Sequence, residues 1–513
     1  MRLFRIRGGV HPQDRKSLSA ERPIEPLPLP QLLHIPLQQH IGAAANPIVE
    51  RRQQVAKGEL IARAQGPVSA PIHAPTSGRI AGIGLYPANH PSGLSVRTIS
   101  LQPDGEDRWA AGSEELVGVA DPFALEPEEI AKRVAAAGVV GMGGATFPAA
   151  VKLNLRNRYD LHTLVINGAE CEPYLTCDDR LMREQAAAIV DGARIMAHAL
   201  GVERIIIAIE KNKPQAQQAM LSAASSHDRG QAGDQIGGKI DGRPGERAKI
   251  EIVGLPMHYP MGSEKHLVQT LTGLETPARG LTADIGVVVH NPATAFAVHQ
   301  ALREGRPLID RVVTITGGAI KEPRNLRVLI GTRIETLLEA SSGFAEAPAR
   351  LVSGGPMMGQ VIPSARAPVI KGTNGILALT EAETRTREPA ACIRCGKCVE
   401  VCPCGLVPLD MAAFVRAGQP KGAVDRGLLD CISCGCCAYV CPAHLPLVQY
   451  FAHAKGAMAE RDRIKQKQTE TKRLAEQRTA RMEAIKQAKR AAMAKRKQAD
   501  KAKSAASNPS PAD

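Results

Sequence analysis

The sequence predicts a multidomain protein of α/β and β parts, and three observations carry that reading. The chain has 513 residues, which at roughly 100–200 residues per domain gives three or more domains. Between residues 125 and 305, apolar β-branched runs alternate with helical patterns, as in a parallel sheet with helices on its faces. Short β-prone runs punctuated by Gly and Pro lie on both sides of that region, and a Lys/Ala-rich tail closes the chain.

Composition narrows the functional classes. The hydrophobic fraction of 44% is enough for ordinary cores, whereas aromatics make up only 3% with a single Trp. Stacking platforms for nucleic acid are therefore not expected. No apolar run approaches the ~18–20 residues needed to span a bilayer. The N-terminus MRLFRIRGGVHPQDRK has charge but no apolar core segment, so a signal peptide is not expected. The net charge is +14, and residues 456–513, with 16 Lys and Arg against 7 Asp and Glu, supply +9 of it. The basicity belongs mostly to the tail. Ten of the twelve cysteines fall between residues 392 and 441, a usage that suggests a reducing, cytoplasmic compartment rather than a disulfide framework.

Residues 1–45 carry Gly8-Gly9-Val10-His11-Pro12 and a proline-rich stretch around Pro23–Pro36. Proline forbids long regular elements, so an extended segment with strand content near Leu32–Leu37 is expected. Residues 46–110 read as all-β, with short runs at Pro47–Val49, Val55–Ala62 and Ile72–Ile80. The phrases KGELIA and APTSGRI resemble the barrel-sandwich fold of biotinyl and lipoyl carrier domains. No lysine stands in an exposed hairpin of the Met-Lys or Asp-Lys-Ala type, so a structural role is expected, since fold does not imply function.

Residues 125–305 form the Rossmann-like, parallel-sheet part. Glu128–Ala137 reads as a helix with Pro127 at its start and Gly138 past its end. Thr163–Asn167, Arg204–Ile209, Ala248–Val253 and Ile285–Val289 read as strands, and Arg180–Leu200 and Lys213–Ser225 as helices. Ligands bind at the C-terminal ends of such strands. Residues 306–360 turn β-rich again, with a helical Ile334–Ala340, and suggest a small β-grasp domain of the SLBB kind. Residues 456–513 can form a solvated helix or remain disordered but cannot bury a core.

The strongest chemical signal lies in residues 380–455. Cys392, Cys395, Cys398 and Cys402 stand at x2, x2, x3 spacing with Pro403 directly after. Cys431, Cys434, Cys437 and Cys441 repeat the pattern before Pro442. This is the two-cluster bacterial ferredoxin arrangement, in which the fourth cysteine of each run serves the other cluster. One [4Fe-4S] cluster is accordingly assigned to Cys392, Cys395, Cys398 and Cys441, the other to Cys431, Cys434, Cys437 and Cys402. Zinc needs four ligands and does not call for a third cysteine plus Cys-Pro in each run. Cys404 and Cys436 fall outside the pattern and read as packed thiols or thiols beside the ligands.

Two further segments bear on ligands. Gly141-Met142-Gly143-Gly144-Ala145-Thr146-Phe147-Pro148 follows a helix and precedes Lys152. Glycines there let backbone N–H groups approach a phosphate, and Lys152 adds a point charge. Taken alone, such a Gly-rich run is more often only a structural turn. Asn167-Gly168-Ala169-Glu170-Cys171-Glu172-Pro173-Tyr174 follows a buried strand, where acids and amides can bind ribityl or ribose hydroxyls; the plain reading is an acidic loop.

GMGGATFPAAVK and INGAECEPY resemble the flavin- and NADH-binding segments of the large flavoprotein subunit of respiratory complex I. With two ferredoxin-type clusters after them, residues 1–455 resemble the RnfC family, the C-type subunits of the Rnf (or Rsx) ion-translocating oxidoreductases. The resemblance implies non-covalent FMN, hydride exchange with NAD(H), two [4Fe-4S] clusters, and a peripheral place on the cytoplasmic face of the inner membrane beside other Rnf subunits. It matches Gly141, Gly143, Gly144 and Lys152 to the FMN-phosphate loop and Phe147 to an aromatic beside the nicotinamide. Asn167, Glu170 and Glu172 match the acidic flavin/NADH loop, Glu264 a dinucleotide contact, and Asn291 with Thr294 a flavin contact. Met142 and Thr146 stand where the complex I loop has Arg and Gly.

The expected function is therefore electron transfer within an ion-translocating complex, with NADH oxidised at FMN, or NAD reduced in reverse, and electrons relayed through both clusters to partner subunits. No general acid or nucleophile is required. The alternative from another class is a non-catalytic Fe–S relay or scaffold without a working flavin site. Cys171 and Cys177 read as packed thiols. His73, His258, His290 and His444 lack ligand spacing and are assigned to no metal. The basic tail reads as a solvated extension, with contact to anionic lipid as the functional option; nucleic acid is not expected as a partner.

Overall fold

A computed structural model describes residues 2–111, 116–232, 247–384 and 387–506. Residues 233–246 of the α/β region and 507–513 of the tail lie outside the described residues. The chain forms two compact units, one of residues 1–409 and 430–448, the other of residues 410–429 and 449–513.

The centre of the first unit is a four-stranded, all-parallel sheet. Its strand order is Lys249–Leu255, Arg204–Glu210, Thr163–Gly168, Val287–His290. The strands are apolar at consecutive positions because both faces are covered. Leu164, Ile166, Ile205, Ile207 and Ile209 pack on one side with Ile189, Val190, Ala193 and Ala197 of the helix Ala186–Leu200. Val165, Ile206, Ala208, Val287 and Val289 pack on the other with Leu267, Val268 and Leu271 of the helix Glu264–Thr272. Odd and even residues of one strand thus serve separate cores, as the two-residue strand period requires.

The helix expected over Arg180–Leu200 is two helices, Cys177–Glu184 and Ala186–Leu200. Gln185 (φ −128°, ψ 29°) leaves the helical conformation between them. The charged CDDRLMRE segment and the Ala-rich segment bury different faces, so one straight axis cannot serve both. The second helix lies so close to the helix Pro292–Arg303 that a Cβ on Gly192 would stand 1.9 Å from the Ala295 carbonyl oxygen. Gly-to-Ala in an open helix interior gains about 1 kcal/mol. At Gly192 the sign reverses: Gly192→Ala is expected to destabilise the fold by about 1–3 kcal/mol through overpacking, read as a lowered urea midpoint at unchanged slope.

A six-stranded mixed sheet follows, ordered Ile24–Pro26, Arg324–Leu329, Asp310–Thr316, Gly375–Leu379, Arg350–Ser353, Gln360–Val361. The helix Ile334–Ala340 covers it through Ile334, Leu337 and Leu338. The sheet thus runs past residue 360 to take in Gly375–Leu379, and it recruits Ile24–Pro26 from the N-terminus as a parallel edge strand. The N-terminal segment is therefore not merely draped on the body. Its next strand, Leu33–Pro36, pairs with Ser95–Pro103 in a four-stranded antiparallel sheet, and Leu33 and Ile35 enter the barrel-sandwich core with Ile61, Ile72, Ile80, Ile99 and Leu101. Prolines restrict both N-terminal strands to short edge positions. In the sandwich, Lys57 pairs with Asp107 at 2.5 Å and lies 5.0 Å from the Trp109 ring centroid, so it is not a free arm.

The second unit contains the helix Pro420–Asp425 and most of the 60-residue helix Leu447–Ala506. The latter is exposed along nearly its whole tail portion and carries three-residue-spaced pairs such as Glu460–Arg463 and Glu470–Arg473. Among the described residues no helix is long and apolar enough to cross a membrane.

Candidate flavin and iron–sulfur site

The glycine loop and the acidic loop meet at the C-terminal ends of the parallel strands. The glycine loop closes on itself: Gly141 N–H donates to the Phe147 carbonyl at 2.8 Å, and Thr146 N–H to the Gly141 carbonyl at 3.1 Å. Met142 N–H donates to Thr294 Oγ1 at 3.0 Å, while the buried Arg311 guanidinium bonds the Met142 and Lys371 carbonyls. Gly143 lies against Asn291, whose Cβ would be 3.3 Å from an added methyl group. Gly144 adopts φ +109°, open only to glycine, and nothing lies within 4 Å of where its Cβ would be. Residues 143–145 are exposed and Phe147 is half-buried. A loop of bare backbone facing open space is the cradle that a phosphate-bearing cofactor needs.

Lys152, Glu264, Asn291 and Thr294 gather beside it. Lys152 Nζ donates to Glu264 Oε2 and to the Val289 carbonyl, each at 3.1 Å, and Thr282 Oγ1 donates to Glu264 Oε1 at 2.9 Å. Asn291 caps the helix Pro292–Arg303 by accepting from Ala293 N–H at 2.8 Å, and its Nδ2 donates to Asp178 Oδ2 at 2.6 Å. Lys152 is thus shared with a carboxylate.

The acidic loop splits its carboxylates. Asn167 is tied to Gly262 by its Nδ2 at 2.8 Å. Glu170 sits in the left-handed region (φ 44°), and its carboxylate accepts from Asp178 N–H at 2.7 Å and Asp179 N–H at 3.3 Å, capping the helix Cys177–Glu184. Burial and then the nearby Glu170 hold the Asp178 carboxyl above its usual range. Glu172 turns elsewhere, accepting from Met357 N–H at 3.1 Å and Met358 N–H at 2.8 Å, and burial pushes its carboxyl up to about 7. The structure therefore joins Glu170 to Asn291 through Asp178 and sets Glu172 against the Gly354–Gly359 turn. Ligand-type atoms of Glu170, Cys177 and Asp178 lie within 4.8 Å of one another. Glu170 and Asp178 already accept the bonds described, and no metal is assigned there. Burial raises the Cys171 thiol to about 12 and lifts Cys177 as well, which fits packed thiols.

Two buried lysines support the acidic loop from beneath, and sequence reasoning did not find them. Lys16 Nζ donates to the carbonyls of Glu170, Glu172 and Leu175 at 2.9, 2.9 and 2.6 Å. Lys213 Nζ donates to the Ala169 carbonyl at 2.8 Å and to Glu210 Oε2 at 3.0 Å. Neither lysine belongs to a spaced motif. Asp178 was the more accessible omission, since paired acids at a helix start, eight residues past Glu170, mark a possible extension of the acidic loop.

The two cysteine runs fold alike. Arg394 and Ser433 have φ 55° and 57°, and Gly396 and Gly435 have φ 79° and 85°. Arg394 N–H reaches Cys392 Sγ and Ser433 N–H reaches Cys431 Sγ, both at 3.4 Å. The thiols interact across the runs. Cys402 is held up first by burial and then by Cys434 and Cys431. Cys437 is raised to about 12 by burial, then by Cys434, Cys431 and Cys402. Cys398 is raised by burial, with Cys441 and Cys392 adding to it. Four thiols thus gather around one centre from both runs, and the other centre shows the same crossing. Cys395 lies on the exposed loop beside Cys392. Cys402, Cys434 and Cys437 are buried, whereas Cys392 and Cys395 are exposed. Cys436 is fully buried and hydrogen-bonds the Cys434 sulfur. Such sulfur sets, with N–H groups directed at them, suit iron–sulfur cubanes.

A parallel-sheet domain with a glycine cradle and an acidic loop, followed by two crossed cysteine sets, defines an iron–sulfur flavoprotein of electron transport. Family models agree segment by segment: the RnfC barrel sandwich hybrid domain over residues 4–106, the Nuo51 FMN-binding domain over 134–300, the SLBB domain over 312–361 and the 4Fe-4S dicluster domain over 391–445. The chain is 58% identical over 461 residues to the C subunit of the ion-translocating oxidoreductase complex of Rhodobacter capsulatus, covering 90% of this chain and 84% of that one. It is 42% identical to the C subunit of the proton-translocating ferredoxin:NAD(+) oxidoreductase complex of Clostridium ljungdahlii, over 90% and 96% of the two chains. With the corresponding Pseudomonas aeruginosa protein it shares 43% identity over 94% of this chain and 59% of that one. The chain belongs to the RnfC family, the C-type subunits of ion-translocating oxidoreductase complexes. It is an electron-transport subunit with FMN and [4Fe-4S] clusters as its cofactors.

Proposed function

We propose that this chain exchanges hydride between NAD(H) and FMN and passes the electrons singly through its two clusters to partner subunits, on the cytoplasmic face of the inner membrane. One observation carries the reading: the segment Tyr259–Gly262 touches both the acidic loop and the buried cysteine set. Gly262 is bonded to Asn167 and Cys171, and Tyr259 to Cys434. The name of the Clostridium ljungdahlii relative, which describes a ferredoxin:NAD(+) oxidoreductase complex, supports nicotinamide as the redox partner.

Bound FMN supplies the two-electron to one-electron conversion that links a hydride donor to iron–sulfur centres. Around it, Gly143 and Gly144 present backbone N–H groups and Lys152 a cation to the phosphate, while Gly141 closes the loop through its bond to the Phe147 carbonyl. Asn167, Glu170, Asn291 and Thr294 shape the floor, with Asp178 added to them. Phe147, Glu172 and Glu264 belong to the nicotinamide side. Cys431, Cys434, Cys437 and Cys402 hold the cluster nearer the flavin loops; Cys392, Cys395, Cys398 and Cys441 hold the one that faces partners, where Ile393 is 69% exposed. The basic tail helix offers contact to anionic lipid at ~1 kcal/mol per charge near the surface.

An anaerobic NADH titration of the FMN- and cluster-loaded chain tests this. Flavin bleaching followed by reduced-cluster EPR signals is the expected sequence. Intact clusters with no flavin uptake and no response to NADH would reduce the chain to a relay and scaffold.

A further inference from the structure

Between the flavin loops and the buried cysteine set lies a junction that the sequence motifs do not include. It is built from Val10, Tyr259, Cys171, Met357, Val401, Cys434 and Cys436, packed into one small apolar core. Tyr259 is its centre and is only 2% exposed. Its hydroxyl donates to the backbone carbonyl of Cys434 at 2.7 Å. Its main chain pairs in both directions with Val10, at 2.8 and 3.0 Å. The neighbouring Gly9 N–H donates to the Val401 carbonyl at 2.9 Å, one residue before Cys402.

This explains the Gly8-Gly9-Val10-His11-Pro12 stretch. Gly9 has φ +85°, and an added Cβ would stand 2.2 Å from His258 Nε2. Only glycine lets the strand squeeze between His258 and the Val401–Cys402 turn. His266 adds a third tie, its Nε2 lying 3.0 Å from the Pro403 carbonyl. Cys434 and Cys402, which come from different runs but the same buried set, are thus anchored to one flavin-domain segment. At its other end that segment accepts a bond from Asn167 and donates Gly262 N–H to Cys171 Sγ at 3.2 Å.

We propose that Tyr259 is a positioning residue for electron passage, fixing the buried cysteine set against the flavin loops through its bond to Cys434 and its pairing with the N-terminal strap. The proposal rests on the flavin-to-cluster path given above. Tyr259→Phe keeps the ring and the strap and removes one donor. That donor places positive charge beside the Cys434 carbonyl, and reducing a cluster adds negative charge. Its loss therefore favours the oxidised form.

The test uses the full chain loaded with FMN and both clusters. In Tyr259→Phe, flavin reduction by NADH is expected to stay within about twofold of wild type. Flavin-to-cluster transfer should slow about fivefold, the scale of one buried hydrogen bond. The EPR signal assigned to the buried set should change shape and titrate at a more negative potential, with the other cluster unmoved. Reduction by dithionite repeats the EPR comparison without the flavin, so a chain that ignores NADH overturns the functional reading and leaves this one testable. Unchanged line shape and potential for the buried cluster under dithionite would overturn the positioning role. Tyr259→Leu, which also removes the ring, should enlarge both changes; equal effects in the two variants would assign them to the hydroxyl alone, whereas changes confined to Tyr259→Leu would assign them to packing and overturn the role of the hydroxyl.

Discussion

Cys441→Ala is expected to abolish the same EPR signal as Cys395→Ala, even though Cys441 belongs to the other sequence run. Cys398 lies within electrostatic reach of Cys392 and Cys441, whereas Cys402 faces Cys431 and Cys434. These neighbours are the ones expected if each centre draws its fourth thiolate from across the module. Bound iron and sulfide should fall to about half in either variant, since one of two cubanes is lost. Electron exit to an external acceptor should fall by more than the ~100-fold that loss of a mere outer-shell partner costs in metal affinity. Flavin reduction by NADH should persist, because Cys392 and Cys395 are exposed and are not among the residues of the apolar core around Tyr259. Cys402→Ala and Cys434→Ala form the complementary pair. They should remove the other signal and also weaken the fold, since both side chains are buried. If Cys441→Ala instead erased the signal lost in Cys434→Ala, each run would be ligating its own cluster and the crossed assignment would fail.

The cysteine pattern was legible because its chemistry is local. The three sulfurs of each Cys-x2-Cys-x2-Cys stretch are brought together by one tight turn, repeated at Arg394–Gly396 and Ser433–Gly435. The parallel sheet was legible for a related reason: Ile205–Ile209 is apolar at every position, which only a strand covered on both faces tolerates. What stayed hidden depends on pairs far apart in the chain. Lys16 meets Glu170 across 154 residues, and Tyr259 meets Cys434 across 175. No periodicity marks either side. Nor does spacing reveal that Glu170 and Glu172, two residues apart, face different partners. Glu170 takes a left-handed backbone conformation in between and turns its carboxylate onto the helix Cys177–Glu184. In the Pro-rich N-terminus the strand content expected near Leu32–Leu37 is present as Leu33–Pro36, with Leu33 and Ile35 fully buried in the sandwich, whereas the edge strand Ile24–Pro26 was hidden because prolines suppress strand patterns.

Lys16→Met should cost the chain its FMN without touching a residue of either sequence motif. The Lys16 ammonium has three donors, and all three are used on the carbonyls of Glu170, Glu172 and Leu175. A buried charge is tolerated only when so bonded. Burial, with Lys213 nearby, holds its pKa below the usual lysine value, while Glu170 and Glu210 oppose that shift. Methionine keeps the side chain's length up to the ammonium nitrogen and supplies no donor. Three carbonyls are left without their partner, and each unsatisfied buried group costs about 1–3 kcal/mol. The loop relieves that cost by moving its carbonyls toward water, which pulls Glu170 away from the Asp178 and Asp179 N–H groups. Denaturant unfolding of the cofactor-free chain should show a loss of about 3–5 kcal/mol, the range for breaking a buried charged interaction. Equilibrium dialysis should show FMN affinity reduced at least tenfold, about 1.4 kcal/mol. The surface variant Lys321→Met serves as control and should stay within about 0.5 kcal/mol of wild type. The pH response has a defined sign. Because the folded pKa lies below the unfolded one, the unfolded chain binds more protons between the two values, and wild-type stability rises with pH through that window. The Met variant lacks this rise. Unchanged FMN affinity in Lys16→Met would show that the acidic loop holds its shape without the lysine, leaving Lys213 as its support.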